Sequence, residues 1–194
     1  MRKADAVRKT KETDIQILLA IDGSGNASID TGIGFFDHML ELFSKHGLFD
    51  LSIKCAGDIH VDEHHTVEDI GIVLGDAFRT ALGKKEKIKR YGCFQLPMDE
   101  SLAEVSLDIS GRPYLHYAVS CRKKKTGTFD LASLKEFFQA FAMSLKMTLH
   151  IRVVYGDNAH HIYEAVFKAF AKALDMATSI DERQRGIPST KGIL

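Results

Sequence analysis

LSIKCAGDIHVDEHHTVED at 51–69 and LHIRVVYGDNAHHIYE at 149–164 decide the fold, because each reads as an alternating apolar strand, a polar loop and a helix opening on HHxxE. Leu51 and Ile53 match Leu149 and Ile151 at an offset of 98. After a loop shorter by two residues, His64, His65 and Glu68 match His160, His161 and Glu164 at an offset of 96. The chain reads as one half-domain written twice, with residues 1–90 as the first repeat and 91–194 as the second repeat plus a C-terminal tail.

Outward from these stretches the elements recur. Ala6–Ala20 alternates through Val7, Ile15, Ile17 and Leu19, which predicts a strand or strand pair, and GSGN at 23–26 predicts a turn. Thr31–His46 places Phe36, Met39, Leu40 and Phe43 on one helical face. A strand at Leu48–Cys55 and a helix at His65–Leu82 complete this half in the order strand, helix, strand, helix. Beyond the basic connection GKKEKIKRYG come strands near 92–97, 102–110 and 114–120, a helix at Ser133–Leu145, a strand at Met147–Tyr155 and a helix at His161–Thr178. RKKKTGTFD at 122–130 reads as a hairpin tip or loop, and RQRGIPSTKGIL as an irregular tail.

Composition narrows the function classes. Hydrophobic residues at 45% and charged residues at 27% describe a folded globular chain. Lys plus Arg (26) equals Asp plus Glu (26), so net charge points neither to nucleic acid nor to a membrane surface as the main partner. No apolar run approaches the roughly 18 to 20 residues that span a bilayer, and MRKADAVRKTKETD lacks a signal peptide's apolar core; the expected location is the cytoplasm. Cys55, Cys93 and Cys121 show no CxxC spacing, which argues against a disulfide framework or a thiolate metal site and predicts reduced, mostly buried thiols.

The ionisable residues concentrate in the repeated motif. On a helix, residues four apart lie about 40° from eclipsed and neighbours about 100° apart, so His64 and Glu68 can address one ion while His65 points at another. HHIYE offers the same geometry again. Imidazole with carboxylate and no thiolate suits Mn, Fe(II), Co, Ni or Zn, with octahedral Mn the leading expectation. His38 adds a further donor, and the offset of 98 makes Glu136 its counterpart.

Along nearly its whole length the chain resembles the imidazoleglycerol-phosphate dehydratase family. The residues that carry the likeness are RKTKET at 8–13, GFFDHMLELFSKHG at 34–47, DEHHTVEDIGIVLG at 62–75, KRYG at 89–92, SGRP at 110–113, TLHIRVVYGDNAHHIYEAVFKAFAKAL at 148–174 and STKG at 189–192. The resemblance implies an α+β fold of two half-domains. Each is a mixed four-stranded sheet with two helices on one face, like the second domain of ribosomal protein S5. It also implies two Mn2+ ions per active site, one held by His38, His65, His160 and Glu164, the other by His64, Glu68, Glu136 and His161. Many members have His where this chain has Glu136.

Several further expectations follow from the same resemblance. Arg90, Arg112, Lys168, Ser189, Thr190, Lys191 and Gly192 match substrate-contacting positions, where a cation beside a hydroxyl suits a phosphate dianion. His46 falls in another substrate-contacting stretch. The family forms octahedral assemblies of 24 subunits with sites completed between chains. Its reaction, in histidine biosynthesis, dehydrates D-erythro-imidazole glycerol phosphate to imidazole acetol phosphate. An imidazolate held between two metals can expel the C3 hydroxyl to give a diazafulvene, after which the C2 proton is easier to remove; Glu12 is the candidate for that proton transfer. His60, His116 and His150 are expected to be structural. Two other classes of function share the ligand set: a binuclear hydrolase acting on a phosphorylated metabolite, and a metal-storing scaffold.

Overall fold

The computed structural model describes all 194 residues. The first sheet and its helices comprise β1 (Lys3–Lys9), β2 (Thr13–Ala20), β3 (Ala27–Asp30), α1 (Gly34–Gly47), β4 (Asp50–Gly57) and α2 (His64–Leu82). Then follow β5 (Tyr91–Met98), β6 (Ser101–Asp108), β7 (Tyr114–Ala118), the short hairpin β8 (Lys125–Thr126) and β9 (Phe129–Asp130), α3 (Ser133–Leu145), β10 (Thr148–Tyr155) and α4 (Ala159–Thr178). The two four-stranded sheets have strand orders β1-β2-β4-β3 and β5-β6-β10-β7. In each, the first two pairings are antiparallel and the last is parallel.

Alternation builds the core. Ile15, Ile17 and Leu19 of β2 and Leu51, Ile53 and Cys55 of β4 turn inward, as do Ala103, Val105 and Leu107 of β6 and Leu149 and Ile151 of β10. α2 covers β1 and β2, α4 covers β5 and β6, and the helices then meet across the middle as the pairs α1 with α4 and α2 with α3. Helices therefore form the centre and the sheets the two outer layers. Fully buried phenylalanines tie the four helices together: Phe43 stacks on Phe170 at 5.4 Å, Phe78 meets Phe141 edge-on at 5.6 Å, and Phe138 meets Phe170 at 5.3 Å. Burying each such ring contributes roughly 1.5–3 kcal/mol. α2 and α3 come closer still, because a Cβ on Gly71 or Gly75 would lie 2.6 Å from the Phe137 carbonyl oxygen or 2.7 Å from that of Phe141.

The structure departs from the sequence reading at several points. β3 was not expected, so the first half has strands where only a turn and a helix approach were foreseen. Its four residues ASID are mostly exposed, and their single alternation of Ala27 and Ile29 with Ser28 and Asp30 is too short to mark a strand. α1 begins at Gly34 rather than Thr31, because Thr31 stands ahead of the helix and donates its N–H and hydroxyl to Asp37 in the first turn. Of the cysteines only Cys55 is buried, where desolvation pushes its thiol up to about 11; Cys93 is exposed and Cys121 intermediate.

The helix starts gather at one end of the bundle. Phe35 at the start of α1 packs on His160 at the start of α4 (5.6 Å) and on Phe129 just before α3 (5.4 Å). Glu63, just before α2, accepts the backbone N–H of Asp130 at 2.6 Å. No helix is long and apolar enough to cross a membrane.

Candidate active site

Both HHxxE motifs stand at that end, each on the first turn of a long helix. Asp62 accepts the N–H of His64 and Asn158 that of His160, both at 2.9 Å; Asn158 is the N-cap of α4, while Asp62 stands one residue before the N-cap of α2. In each motif the first histidine turns toward the glutamate one turn on: His64 Nε2 is 3.5 Å from Glu68, and His160 Nε2 is 3.3 Å from Glu164. The second histidine is anchored instead by Nδ1, His65 to Asp58 at 3.1 Å and His161 to Glu100 at 2.7 Å. An ionised carboxylate can only accept, so Nδ1 carries the proton and Nε2 is left as the free donor atom. Those bonds raise both histidines above their ordinary value, and the His161 bond, with the Asn158 N–H, takes Glu100 down to about 2.

His38 of α1 joins His160 and Glu164, its ring 5.3 Å from that of His160. Donor atoms of these three lie within 4.8 Å of one another. A shared ion asks its ligands to stand within about 4 Å of each other, so small side-chain movements close the set, and the absence of thiolate suits a hard or borderline divalent cation. Burial pushes Glu164 up, but its bond to Lys168 and the charges of Lys168, His160 and His38 bring it below the ordinary carboxylate value, so it stays ionised as a ligand must. Across the bundle, His64 and Glu136 line one cavity of about 300 Å³ with Asp62, Glu63 and Asp130. The first candidate quartet thus has three members together in one chain and lacks the fourth; in the second, His64 stands 3.5 Å from Glu68 and lines the cavity with Glu136, but the three do not close into one cluster. His65 does not reach His38, His160 and Glu164, and His161 does not reach His64, Glu68 and Glu136; each is tied to its own carboxylate.

The remaining candidates separate into two places. Glu12 lies in the β1–β2 turn, more than half exposed, its carboxylate 4.0 Å from His65 Nε2. The turn is held by residues that sequence reasoning passed over: Asp69, buried on α2, accepts from Thr13 Oγ1 at 2.5 Å and Arg8 Nε at 3.2 Å, and Thr10 Oγ1 accepts the Glu12 N–H at 3.0 Å. RKTKET is therefore a frame around Glu12. Lys168 is committed to Glu164, and His46, in the last turn of α1, is pushed down by burial and by the charges of Lys168 and Lys172.

Arg90, Arg112 and the tail meet elsewhere. Arg90 donates to Asp108 at 2.7 and 3.0 Å and to the Pro188 carbonyl at 2.9 Å, while Arg112, 68% exposed, is 3.9 Å from Asp108. Gly192 N–H closes a turn on Ser189 at 3.1 Å, leaving Thr190, Lys191 and Gly192 exposed. The backbone N–H of Arg90 donates to Ala177 at the C-terminal end of α4. His160 to Ala177 at 1.5 Å per residue is about 25 Å. The cationic corner and the histidine cluster occupy opposite ends of one helix.

Comparison with known proteins agrees with this arrangement of motifs. The imidazoleglycerol-phosphate dehydratase family model matches residues 31–174. The chain belongs to that family. The dehydratase of Caldanaerobacter subterraneus subsp. tengcongensis is 59% identical over 194 residues, covering all of both chains. That of Geobacter sulfurreducens is 58% identical over 193 residues, covering 100% of this chain and 99% of its own. The crystal structure of the Staphylococcus aureus dehydratase matches with TM-score 0.83 at 40% identity, covering 92% of this chain and 100% of that one. That of the Pyrococcus furiosus protein matches with TM-score 0.83 at 41% identity, covering 97% and 99%. Membership of this dehydratase family makes the chain an enzyme, and its duplicated sheets are the family's fold. Asp58, Asp69 and Glu100 are the functional positions missed from sequence. Asp69 directly follows Glu68 in HHTVED, which was the available signal.

Proposed function

We propose that the chain is a manganese-dependent hydro-lyase of histidine biosynthesis that removes water from D-erythro-imidazole glycerol phosphate. The reading further holds that one substrate is bound by several copies of the chain, in an assembly of 24, with residues 1–90 and 91–194 as the two repeats of each copy. One observation carries the shared site: histidine cluster and cationic corner stand about 25 Å apart along α4, far more than a six-carbon phosphoester can bridge.

His38, His160 and Glu164, completed by His65 of another copy, would hold one cation, and His64, Glu68 and Glu136, completed by another copy's His161, a second. Bound there, divalent cations supply Lewis-acid polarisation and a template for the substrate's ring. Arg112 and Lys191, whose charged heads are exposed, hold the phosphate dianion, with Ser189, Thr190 and Gly192 adding donors and Arg90 buttressing the tail through Pro188. Glu12 takes the C2 proton once loss of the C3 hydroxyl has made it easier to remove, since its carboxylate is exposed and hydrogen-bonded to no other side chain. Lys168 keeps Glu164 ionised, and His46 adds an imidazole beside Lys168 and Lys172.

The test is a product assay with imidazole glycerol phosphate on chelator-treated protein, with and without added Mn2+. Imidazole acetol phosphate formed only with the metal is expected. Release of inorganic phosphate would indicate a hydrolase instead, and metal loading with no turnover a storage role; either sinks the proposal.

A further inference from the structure

The two sheets can be aligned strand by strand through their ladders. Ile15, Ile17 and Leu19 face Cys55, Ile53 and Leu51, as Ala103, Val105 and Leu107 face Val153, Ile151 and Leu149. On that register Glu12 and Glu100 are the same position of the repeat, one residue before β2 and β6. Past the bulge in β10, Tyr155 faces Leu102 as Ala56 faces Asp14, so Gly57 corresponds to Gly156 and Asp58 has Asp157 as its counterpart.

The two glutamates have opposite circumstances. Glu100 is fully engaged: His161 Nδ1 lies on one carboxylate oxygen at 2.7 Å, while Asn158 N–H and Ser101 Oγ reach the other at 2.9 and 3.0 Å. Asp157, at the position of Asp58, does not take that place: its side chain makes no bond to His161, and its own N–H lies 3.4 Å from the Glu100 carboxylate. In the first repeat Asp58 performs that task, holding His65 Nδ1 at 3.1 Å. Glu12 keeps only backbone attachments, its own N–H on Thr10 Oγ1 and its carbonyl accepting from the Asp58 N–H at 3.0 Å.

We infer that Asp58 is a positioning residue: by satisfying His65 it keeps the carboxylate of Glu12 uncommitted, so one copy of a duplicated histidine anchor is available for substrate. This rests on the role given to Glu12 above. Without Asp58, the nearest carboxylate to His65 is Glu12, 4.0 Å from Nε2; a turn of the freed ring brings Nδ1 to it, and Glu12 resumes the duty Glu100 performs in the second repeat.

The experiment measures Mn2+ affinity per chain and steady-state turnover of imidazole glycerol phosphate for Asp58→Ala, Glu12→Ala, the double variant and Asp58→Asn. Asp58→Ala should hold Mn2+ within a few-fold of the parent while kcat falls at least about tenfold and KM changes less. Glu12→Ala alone should leave Mn2+ affinity unchanged, whereas in the Asp58→Ala background it should weaken it about 10- to 100-fold, the range for losing a ligand's hydrogen-bonded partner. Asp58→Asn, whose side-chain oxygen still accepts from Nδ1, should recover most of kcat. Additive effects on Mn2+ affinity, or an Asp58→Ala variant with parental kcat, would overturn the inference. Should Asp58→Ala fail to fold, Asp58→Gly carries the same expectations. If the parent protein itself does not convert the substrate, the functional reading fails, yet the Mn2+ coupling still decides whether Glu12 replaces Asp58.

Discussion

The first and second repeats share a sheet order, a register and a helix-opening motif, yet they use their acidic residues differently. In the second, Glu100 is locked on His161, and the position of Asp69 is taken by Ala165. In the first, Asp58 anchors the histidine, Asp69 frames the β1–β2 turn, and Glu12 is left exposed. Duplication yields two HHxxE helix starts of the same geometry; divergence at a few carboxylates leaves the equivalent glutamate exposed in only one of them.

The sharpest way to test that contrast is to neutralise the two equivalent glutamates. Glu12→Gln should lower kcat by about 10²–10⁴-fold with Mn2+ content unchanged, the range for losing a general base. Glu100→Ala should instead weaken Mn2+ binding about 10- to 100-fold, because His161 loses its orienting partner, with kcat at saturating metal affected far less. Equal behaviour of the two variants in both assays would erase the distinction.

A second contrast lies in the helices. α2 carries Gly71 and Gly75 where α4, at the offset of 96, carries Phe167 and Ala171. Gly71→Ala forces a methyl onto the backbone of α3 and should cost about 1–3 kcal/mol in denaturant titration, despite Ala's better helix propensity. The reverse outcome, stabilisation, would mean that α2 and α3 can separate freely.

The smallest effect concerns pH in the metal-free protein. Glu100, lowered to about 2 chiefly by the His161 bond, contributes stability that is complete above its unfolded value near 4.3 and lost as pH falls toward 2. His161, raised by the same bond, contributes stability that is complete below about 6.5 and lost as pH rises through its folded value. Thermal midpoints should therefore peak between these limits, and Glu100→Ala should flatten the peak; an unchanged profile would show that the pair adds nothing to folding.

Much of this was legible in the sequence because hydrophobic period and motif spacing are local. The offsets of 98 and 96 located both helices that open on histidine pairs, and His38, His160 and Glu164, dispersed in sequence, do converge. β3 escaped because one alternation over four residues, three of them exposed, is too short to read as a period. Asp58 escaped because a carboxylate in a polar loop looks like any other until His65 is seen above it. The equivalence of Glu12 and Glu100 needs strand register, since the match between their flanking sequences is too faint to align. The 25 Å separation is a property of α4's length acting on residues 160 and 177, and no spacing between Lys191 and His38 in the chain announces it.

Complementation between chains tests the shared site most directly. His38→Ala and Arg112→Ala, each inactive alone, would be co-expressed so that mixed assemblies form. If one substrate draws its ring ligands and its phosphate ligands from different copies, mixed particles contain sites built from two intact contributors, and activity should rise well above the sum of the parents. If activity stays at that sum in particles shown to contain both variants, the two ends of α4 serve no common substrate.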